Sequence, residues 1–377
     1  MKKILYITTV PIDFEKPDGV QKKILSHIKA FSNYYETYLL CRANNTICYK
    51  KSSSKCLYII KNKSTRRELF AAAKDIIKRK KFVAIYIRYP NSDPLFLSFL
   101  RCSSKNGCKN IIEIPTYPYN FEGRESIKGK IVSIVDIIFR RFLKKYVNRI
   151  ITYSSDIEIF GIKTIRTLNG IFFNEIEMKR NISNDEIRLI AVSSMFKVHG
   201  YERIIEGLSK YYQNISPKKY VFFDLVGEGD YTPLYKKLVK KYKLEKYVIF
   251  HGNLYNDELK DRYSTAHIGV NSLAIHRQGL KNESTLKSKE YVAHGLPIIS
   301  SSYIDALDKN GNEKYVFRVS PDETSVEINK VVDFYQKLTK EKNEIEVATN
   351  IRENGLQTCD MIKTFIPIIK YINNEYS

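Results

Sequence analysis

The sequence predicts an α/β protein built on two parallel sheets. Short apolar runs alternate along the chain with charged amphipathic stretches, which is the pattern of repeated β/α units. The chain has 377 residues, more than one ordinary hydrophobic core needs. We therefore expect a first domain over residues 1–177, a second domain over 178–357, and a C-terminal helix over 358–377 that returns to the first domain.

The predicted strands form two series, separated by the polar run from Met178 to Glu186 that we interpret as the interdomain connection. A helix over about 20–33 follows Gly19, so the loop before it lies at the carboxyl end of the first strand, where ligands of open α/β sheets bind. The first series is 3–9, 36–41, 83–88, 110–115 and 149–153, and the second is 187–194, 220–226, 247–250, 267–271 and 297–301.

One helix of the second half carries the strongest local signal for a ligand. Residues 286–301 read as a helix that begins after the polar loop 279–285 and ends at a Gly-Leu-Pro turn before a buried strand. The free N–H groups of such a helix start form an anion site. Glu290, about one turn inside, can accept hydrogen bonds from the paired hydroxyls of a ribose. The alternative is an ordinary capped helix of an α/β domain.

Charge and cysteine content exclude several classes of function. The net charge of +22 fits nucleic acid, an anionic membrane surface or anionic small substrates as partners. No RNA-binding aromatic motif, zinc finger or clear helix-turn-helix is present, so we expect no nucleic-acid partner. The six cysteines form no Cys-x-x-Cys pair, which predicts neither a metal site nor disulfides and favours a reducing cytoplasm.

A basic amphipathic segment over 127–147 suggests a second kind of partner. Its apolar residues fall near one helical face and most of its lysines and arginines fall elsewhere. Such a helix can lie in an anionic membrane interface. Alternatively, it packs its apolar stripe on the sheet. No stretch has the roughly 18 uncharged apolar residues that a membrane span needs, so we expect membrane contact to be peripheral, on the inner face of the cell membrane.

Five segments of the second half, in this order, resemble the motifs of glycosyltransferase family 4. They are Phe222–Gly229, Val248–Asn253, Asp257–Leu259 ahead of Tyr263, His267–Ser272 and Lys287–Pro297. The first half agrees through Asp18-Gly19-Val20 and Asn169-Gly170-Ile171. The resemblance implies a GT-B architecture, in which two Rossmann-like domains face a central cleft. It also implies retaining transfer of a sugar, hexosyltransferase-like, from a nucleotide-diphosphate sugar with no metal or other cofactor.

The catalytic residues of the family carry over incompletely. The family has two glutamates eight positions apart, of which the second corresponds to Glu290 and implies contact with the ribose. The first falls on Asn282. Its neighbour Glu283 supplies the acid if the loop is shifted by one residue, or Asn282 hydrogen-bonds the donor sugar without charge. Glu283, Asn282 and Glu290 are therefore the catalytic candidates.

The family's phosphate-binding arginine and lysine are also replaced. They fall near Ser194 and His199, and neither side chain is a permanent cation. Lys197, Lys287 and Arg277 are the candidate replacements, because a cation or helix start must stabilise the charge on the leaving diphosphate. His199 can alternatively be a structural histidine.

The remaining site candidates come partly from the resemblance and partly from the residues themselves. On the donor side they are Gly19, Gly227, Glu228, Gly252, Asn253, Ser284, Thr285 and Leu286. On the acceptor side, Arg88, Glu113 and Tyr117 follow strands of the first domain, although a rigid Pro-Tyr loop with no ligand fits this stretch equally well.

The resemblance implies a role in building a bacterial capsule, lipopolysaccharide or related glycan, with a lipid-linked or oligosaccharide acceptor. Two other functions are kept open. One is a GT-B-like binding protein that has lost its catalytic acids, and the other is a sugar-nucleotide isomerase on the same scaffold.

Overall fold

The computed structural model describes residues 1–54, 58–61, 64–118, 127–178, 185–213, 217, 219–279, 282–308 and 311–375. The chain divides into two compact units. Unit 1 is Met1–Leu168 with Thr364–Ser377, and unit 2 is Asn169–Lys363. The boundaries expected from the sequence were 177/178 and 357/358, which differ from these by nine and six residues.

Unit 1 contains a nine-stranded sheet with parallel strands at its centre and antiparallel strands at both edges. Its order is β4-β3-β2-β1-β5-β6-β7-β9-β8. The strands are β1 (Lys3–Pro11), β2 (Glu36–Ala43), β3 (Thr46–Lys51), β4 (Tyr58–Lys61), β5 (Ala84–Arg88), β6 (Lys109–Ile114), β7 (Arg149–Thr152), β8 (Glu158–Ile159) and β9 (Ile162–Arg166). The helices are α1 (Gly19–Ser32), α2 (Arg66–Arg79), α3 (Pro94–Lys105) and α4 (Ile127–Arg140).

Unit 2 contains a six-stranded parallel sheet, of order β12-β11-β10-β13-β15-β17, and a separate short pair, β14 with β16. The strands are β10 (Glu186–Val192), β11 (Tyr220–Val226), β12 (Val248–Gly252), β13 (Ile268–Val270), β14 (Asn282–Glu283), β15 (Ile298–Ser300), β16 (Tyr303–Ile304) and β17 (Val316–Arg318). The helices are α5 (Glu202–Tyr211), α6 (Thr232–Lys241), α7 (Asn256–Thr265), α8 (Leu286–Ala293), α9 (Ile328–Glu341) and α10 (Glu344–Thr358), followed by α11 (Met361–Ile372).

These assignments confirm the predicted α/β class with two mainly parallel sheets. They also confirm each predicted strand and the helices that begin near residues 20 and 286. The predicted helix over 127–147 is wrong in its length, because α4 ends at Arg140. A short 3-10 turn over Leu143–Lys145 follows and buries Leu143 completely, so the chain turns inward there before β7.

Both faces of the unit 2 sheet are covered, as expected for parallel strands that are buried on two sides. Neighbouring residues of β10 show this directly. Leu189 belongs to a core cluster with Phe223 and Val331, whereas Ile190 belongs to a second cluster with Val292 and Ile298. Because side chains alternate across a strand, the two clusters lie on opposite faces of the sheet.

Among the described residues, we find no helix whose length and hydropathy would allow it to cross a lipid bilayer.

Gly227, just after β11, has a conformation and surroundings that only glycine tolerates. Its φ is +113°, and a Cβ atom there would lie 2.1 Å from the carbonyl oxygen of Ser193. We expect Gly227→Ala to lower the free energy of unfolding by about 2 kcal/mol or more, because the backbone must shift. Urea denaturation measures this change.

Gly19→Ala is the matched control for Gly227→Ala. Gly19 is the first residue of α1, and a Cβ atom there would meet nothing within 4 Å. This variant should stay within about 0.5 kcal/mol of the wild type. Equal stabilities for the two variants would contradict the assignment of strain to Gly227.

Candidate functional site

The topology of the unit 2 sheet decides where its loops meet. Strand β10 pairs with β11 on one side and with β13 on the other. The connections therefore leave β10 and β13 in opposite directions, which opens a crevice at their carboxyl ends. The loop after β10 carries His199, and the loop after β13 carries Ser272. Both residues lie at this crevice.

Helix α8 also begins at this crevice, and its first residue, Leu286, is the one that the sequence predicted. The Oγ1 of Thr285 caps it by accepting a hydrogen bond from the N–H of Ser288. The helix ends before Gly295, whose φ is +72°. A capped helix start with unpaired leading N–H groups favours an anion.

Lys287 is the candidate cation that the structure brings to His199. Its Nζ donates to Ser272 Oγ at 3.2 Å and to Tyr201 OH at 3.3 Å, and lies 3.4 Å from His199 Nδ1. The side chain is only 8% exposed. These three partners are two hydroxyls and an imidazole, and among the residues that the structure describes no carboxylate forms a salt bridge with Lys287.

His199 is held in its neutral form. Burial, and secondarily the positive charge of Lys287, lower the pKa of His199 from 6.5 to about 3. Its ring stacks on that of Tyr201 with centroids 5.4 Å apart. His199 thus adds no charge at neutral pH, and the cation beside it is Lys287, which lies on a different element.

The other two candidate cations have different surroundings. Arg277 pairs with Glu202 at 2.5 Å and with Glu323, and its guanidinium donates to the carbonyl of Lys197 at 2.7 Å. Hydrogen bonding to Glu323 is the main reason why the pKa of Arg277 is raised. Two carboxylates therefore compensate Arg277, whereas the side chain of Lys197 is exposed.

The loop that carries His199 is fixed by contacts with the loop after β13. The N–H of Leu273 donates to the carbonyl of His199 at 2.8 Å. Gly200 has a φ of +62°, and a Cβ atom there would lie 2.7 Å from Ala274 Cβ. Close packing of the two loops therefore requires glycine at this position.

Arg203 reinforces this contact from inside the unit. Its buried guanidinium donates to the carbonyls of Thr324 at 2.6 Å and Ser320 at 2.9 Å, and to that of Leu273. The sequence alone provides no reason to single out Arg203. An arginine in the first turn of a helix resembles a surface residue, so no local signal revealed its role.

A second lysine of α8 anchors the loop ahead of the helix, and sequence reasoning missed it. Lys289 is fully buried and forms a salt bridge with Asp305. Its Nζ donates to Ser284 Oγ at 3.1 Å, and that hydroxyl donates to Asp305 at 2.6 Å. The side chain of Asn169 donates to the carbonyl of Ser284. The position of Ser284 is thus set by neighbours on three segments.

Glu290 lies on the half-buried side of α8. The hydroxyl of Tyr263 donates to its carboxylate at 3.1 Å. Burial, and then the charge of Glu290, raise the pKa of Tyr263 well above its ordinary value. The ring of Tyr263 stacks on His294 with centroids 4.1 Å apart. This hydrogen bond orients the Glu290 carboxylate, and its contact with a ribose stays a prediction.

Residues Asn282 and Glu283 form β14, whose backbone pairs with Tyr303 and Ile304 of β16. The side chains of Asn282 and Glu283 lie outside the described part of the structure. Which of the two faces the donor therefore stays a prediction.

The loops after β10, β11 and β12 bring the other donor candidates to one edge of the sheet. The N–H of Gly227 donates to the carbonyl of Gly252 at 2.7 Å, and the N–H of Met195 donates to the carbonyl of Glu228 at 3.2 Å. The side chains of Ser194, Glu228 and Asn253 are exposed, and so available to a ligand.

The candidates in unit 1 have a different character, because Glu113 is completely buried. Tyr153 OH donates to it at 2.9 Å, Lys23 Nζ lies 3.3 Å from it and Arg88 lies 3.5 Å from it. Burial opposes ionisation, but the charges of Lys23, His27 and Arg88 together hold the pKa of Glu113 at about 2. Glu113 is thus an enclosed counter-ion rather than a contact or base open to an acceptor.

Two further predicted residues of unit 1 have modest structural roles. Tyr117 is half-buried and packs on the apolar core, with its ring centroid 6.0 Å from that of Phe160. Gly19 begins α1, and Asp18 caps that helix by accepting from the N–H of Gln21 at 2.8 Å. The backbone of Gly19 is not left-handed, so its conformation does not require glycine.

Removing one partner of the buried Lys289–Asp305 pair should be costly. We expect Lys289→Met to lower the free energy of unfolding by about 3 kcal/mol, because Asp305 is left buried and unpaired. Adding Asp305→Asn removes that charge and should recover part of the loss. Urea denaturation measures both values. If the unfolding free energy of Lys289→Met alone stays within about 1 kcal/mol of the wild-type value, the pairing is contradicted.

The lowered pKa of His199 gives a testable pH dependence. As pH falls from about 6.5 towards 3, the unfolded chain takes up a proton at His199 that the folded chain refuses, so stability is lost by up to about 1.4 kcal/mol per pH unit. His199→Asn, which can keep a hydrogen bond to Ser272, should lack this loss. Denaturation curves at several pH values measure the difference. If the unfolding free energies of the wild type and of His199→Asn change with pH in parallel, the pKa of His199 is not lowered.

Comparison with known proteins agrees with this geometry. Residues 186–334 match the family model described as Glycosyl transferases group 1. The alpha-monoglucosyldiacylglycerol synthase of Acholeplasma laidlawii is 28% identical over 130 residues, which are 34% of this chain and 30% of that protein. The match thus spans less than a third of the relative's length.

Two solved structures resemble the whole chain. A glycosyltransferase from Rickettsia africae ESF-5 has a TM-score of 0.65 at 15% identity, covering 100% of this chain and 99% of that one. Sucrose-phosphate synthase from Thermosynechococcus elongatus has a TM-score of 0.64 at 14% identity, covering 100% of both chains. These similarities confirm the fold class expected from the resemblance. Residues 186–334 are thus similar to a Glycosyl transferases group 1 domain, and the chain has the two-sheet α/β fold of its GT-B structural neighbours.

Proposed function

We propose that this protein is a retaining glycosyltransferase that transfers a sugar from a nucleotide-diphosphate sugar to a lipid-linked glycan. The observation that carries the proposal is the Lys287 cluster. A largely buried ammonium, held by neutral partners, lies at the start of a capped helix and at the crevice of a parallel sheet. Each of these three features favours an anionic ligand.

The charge on Lys287 fits a diphosphate. A buried cation with only neutral partners is destabilised by the loss of its hydration. An incoming phosphate would relieve this cost, and N–H groups at the start of α8 would add hydrogen bonds. The same cation would stabilise the charge that develops on the leaving diphosphate, without requiring a metal ion.

Residues near Lys287 would contact the other parts of the nucleotide-sugar donor. Ser284, Thr285 and Leu286 would contact the diphosphate through the loop and helix start, and Glu290 would accept hydrogen bonds from the ribose. Asn282 or Glu283 would face the donor sugar. The acceptor hydroxyl would then attack C1 of the sugar as the diphosphate leaves, with retention of configuration as the resemblance implies.

The lipid-linked acceptor rests on two supports. The curated relative is, by its name, a synthase of a glucosylated diacylglycerol, so its product is a glycolipid. In unit 1, Ile131, Ile134 and Ile138 of α4 are exposed beside basic residues, a combination that suits a membrane surface. The family resemblance adds the setting of bacterial surface-polysaccharide biosynthesis, at the cytoplasmic side of the membrane.

A second candidate function is a GT-B-like binding protein without transfer activity. The observation that favours it is Asn282 at the position of the family's first glutamate. Such a protein would bind a nucleotide sugar and leave it intact. Release of nucleoside diphosphate that depends on an added lipid-linked acceptor separates the two functions.

The donor site can be tested by a pair of variants with different expected losses. A thermal-shift screen with UDP, GDP, ADP and CMP, in the presence of EDTA, first identifies the preferred base, because a ligand of the native state raises its stability. Lys287→Gln should then weaken binding of the nucleoside diphosphate about tenfold and leave the nucleoside itself unaffected. Glu290→Gln should weaken both ligands, because both contain the ribose. Titration calorimetry measures the four affinities.

Lys237→Gln is the control for charge, because Lys237 is an exposed lysine of α6. An equal loss in this variant would mean that the general positive field, rather than Lys287, binds the diphosphate. No thermal shift with any nucleotide, in a folded protein, would overturn the donor site. Binding without acceptor-dependent transfer would favour the binding protein.

A further inference from the structure

Helix α4 points its apolar side away from the rest of unit 1. Residues spaced three or four apart form one stripe along the helix and its end, and each is exposed. We name this set the apolar stripe: Ile127 (80% exposed), Ile131 (57%), Ile134 (57%), Ile138 (43%) and Phe142 (37%). Scattered exposed apolar residues are normal, but a contiguous row marks an interaction surface.

The opposite, more polar side of α4 attaches it to unit 1. Asp136 is buried, and its carboxylate accepts hydrogen bonds from Tyr89 OH and from the N–H of Ser92, both at 2.5 Å. Arg140 lies over the ring of Phe160, 4.8 Å from its centroid. The helix is therefore reversed relative to an ordinary surface helix, which buries its apolar side. The alternative that the stripe packs on the sheet is wrong.

The charged residues beside the apolar stripe indicate which kind of partner binds to it. Lys130, Arg141, Lys144 and Lys145 are exposed. Asp136 is the single acidic residue between positions 127 and 147, and it is buried. The exposed charge on this segment is therefore entirely positive among the described side chains. A second copy of the same surface would be repelled, whereas an anionic surface with an apolar interior complements both features.

We propose that α4 docks the protein on an anionic lipid bilayer, with the apolar stripe inserted at the boundary between headgroups and acyl chains. A 14-residue helix is about 21 Å long, so it lies along the surface rather than across it. The flanking lysines and arginines remain at the headgroups, where each attracts anionic lipid. This inference is independent of the proposed transferase activity, because it concerns adsorption of the protein alone.

The absence of tryptophan from the sequence permits a direct test with single-tryptophan variants. Ile131→Trp places a reporter in the stripe, and Ile345→Trp places one at an isoleucine of α10 that is 67% exposed. With vesicles of phosphatidylcholine and 30% phosphatidylglycerol, we expect the emission of Ile131→Trp to shift to shorter wavelength. The emission of Ile345→Trp should stay unchanged, and pure phosphatidylcholine should give little shift in either variant.

Flotation with the same vesicles separates the apolar and charged contributions. Replacing Ile131, Ile134 and Ile138 by serine should abolish flotation. Replacing Lys130, Arg141, Lys144 and Lys145 by glutamine should reduce the bound fraction at least fivefold. The matched control replaces four exposed lysines of α6, which are Lys236, Lys237, Lys240 and Lys241, by glutamine and removes the same charge. It should float nearly as well as the wild type.

Three outcomes would overturn the proposal. The first is an unshifted Ile131→Trp spectrum with anionic vesicles. The second is equal loss of flotation in the α4 and α6 charge variants, which would indicate adsorption by net charge alone. The third is a wild-type dimer in sedimentation that becomes a monomer in the serine variant, with no vesicle binding in either. Circular dichroism and the melting temperature verify that each variant is folded.

Discussion

The pairing of β10 with β11 on one side and β13 on the other is the constraint on which the candidate site depends. It makes the following connections diverge, so their loops meet only at the carboxyl ends of the strands. The loop that carries His199 and the loop that carries Ser272 are then locked together by backbone hydrogen bonds, by the close approach at Gly200 and by the guanidinium of Arg203. Helix α8 starts against this fixed pair of loops.

Two lysines of α8 show how position within one helix sets the role of a charge. Lys289 is completely buried and neutralised by Asp305, so it is a structural cation that holds the loop before the helix. Lys287, two residues earlier, has hydroxyl and imidazole partners. Two residues along a helix correspond to a rotation of about 200°, which is enough to direct the side chains to different surroundings. Among the described residues, a carboxylate pairs with Lys289 but none forms a salt bridge with Lys287.

The sequence predicted ten parallel strands and α8, because buried runs and helix boundaries are local signals. It missed two further parallel strands of the main sheets, β9 and β17. It missed β3 and β4, which form an antiparallel edge. It also missed the pairing of Lys289 with Asp305, since the partners are brought together only by the fold. A lysine or arginine in a sequence is normally assigned to the surface.

The orientation of α4 is another feature that local sequence signals could not reveal. Periodicity shows that a helix has an apolar side, but not whether that side faces the protein or something outside it. The partners of Asp136 decide this question, and Ser92 and Tyr89 are more than forty residues away in sequence. The choice between Lys287, Lys197 and Arg277 likewise depended on the neighbours of each, which are distant along the chain.

The division of unit 1 between the two ends of the chain has a consequence for its biosynthesis. The segment from Thr364 belongs to unit 1, where Phe365 packs against His27 and Phe31 with ring centroids 5.0 and 4.9 Å away. Tyr35 also donates to Asn373 at 3.0 Å. A ribosome synthesises the segment from Thr364 after the residues of unit 2. Unit 1 therefore cannot complete its core until the whole of unit 2 has been translated, although its strands are all translated before unit 2.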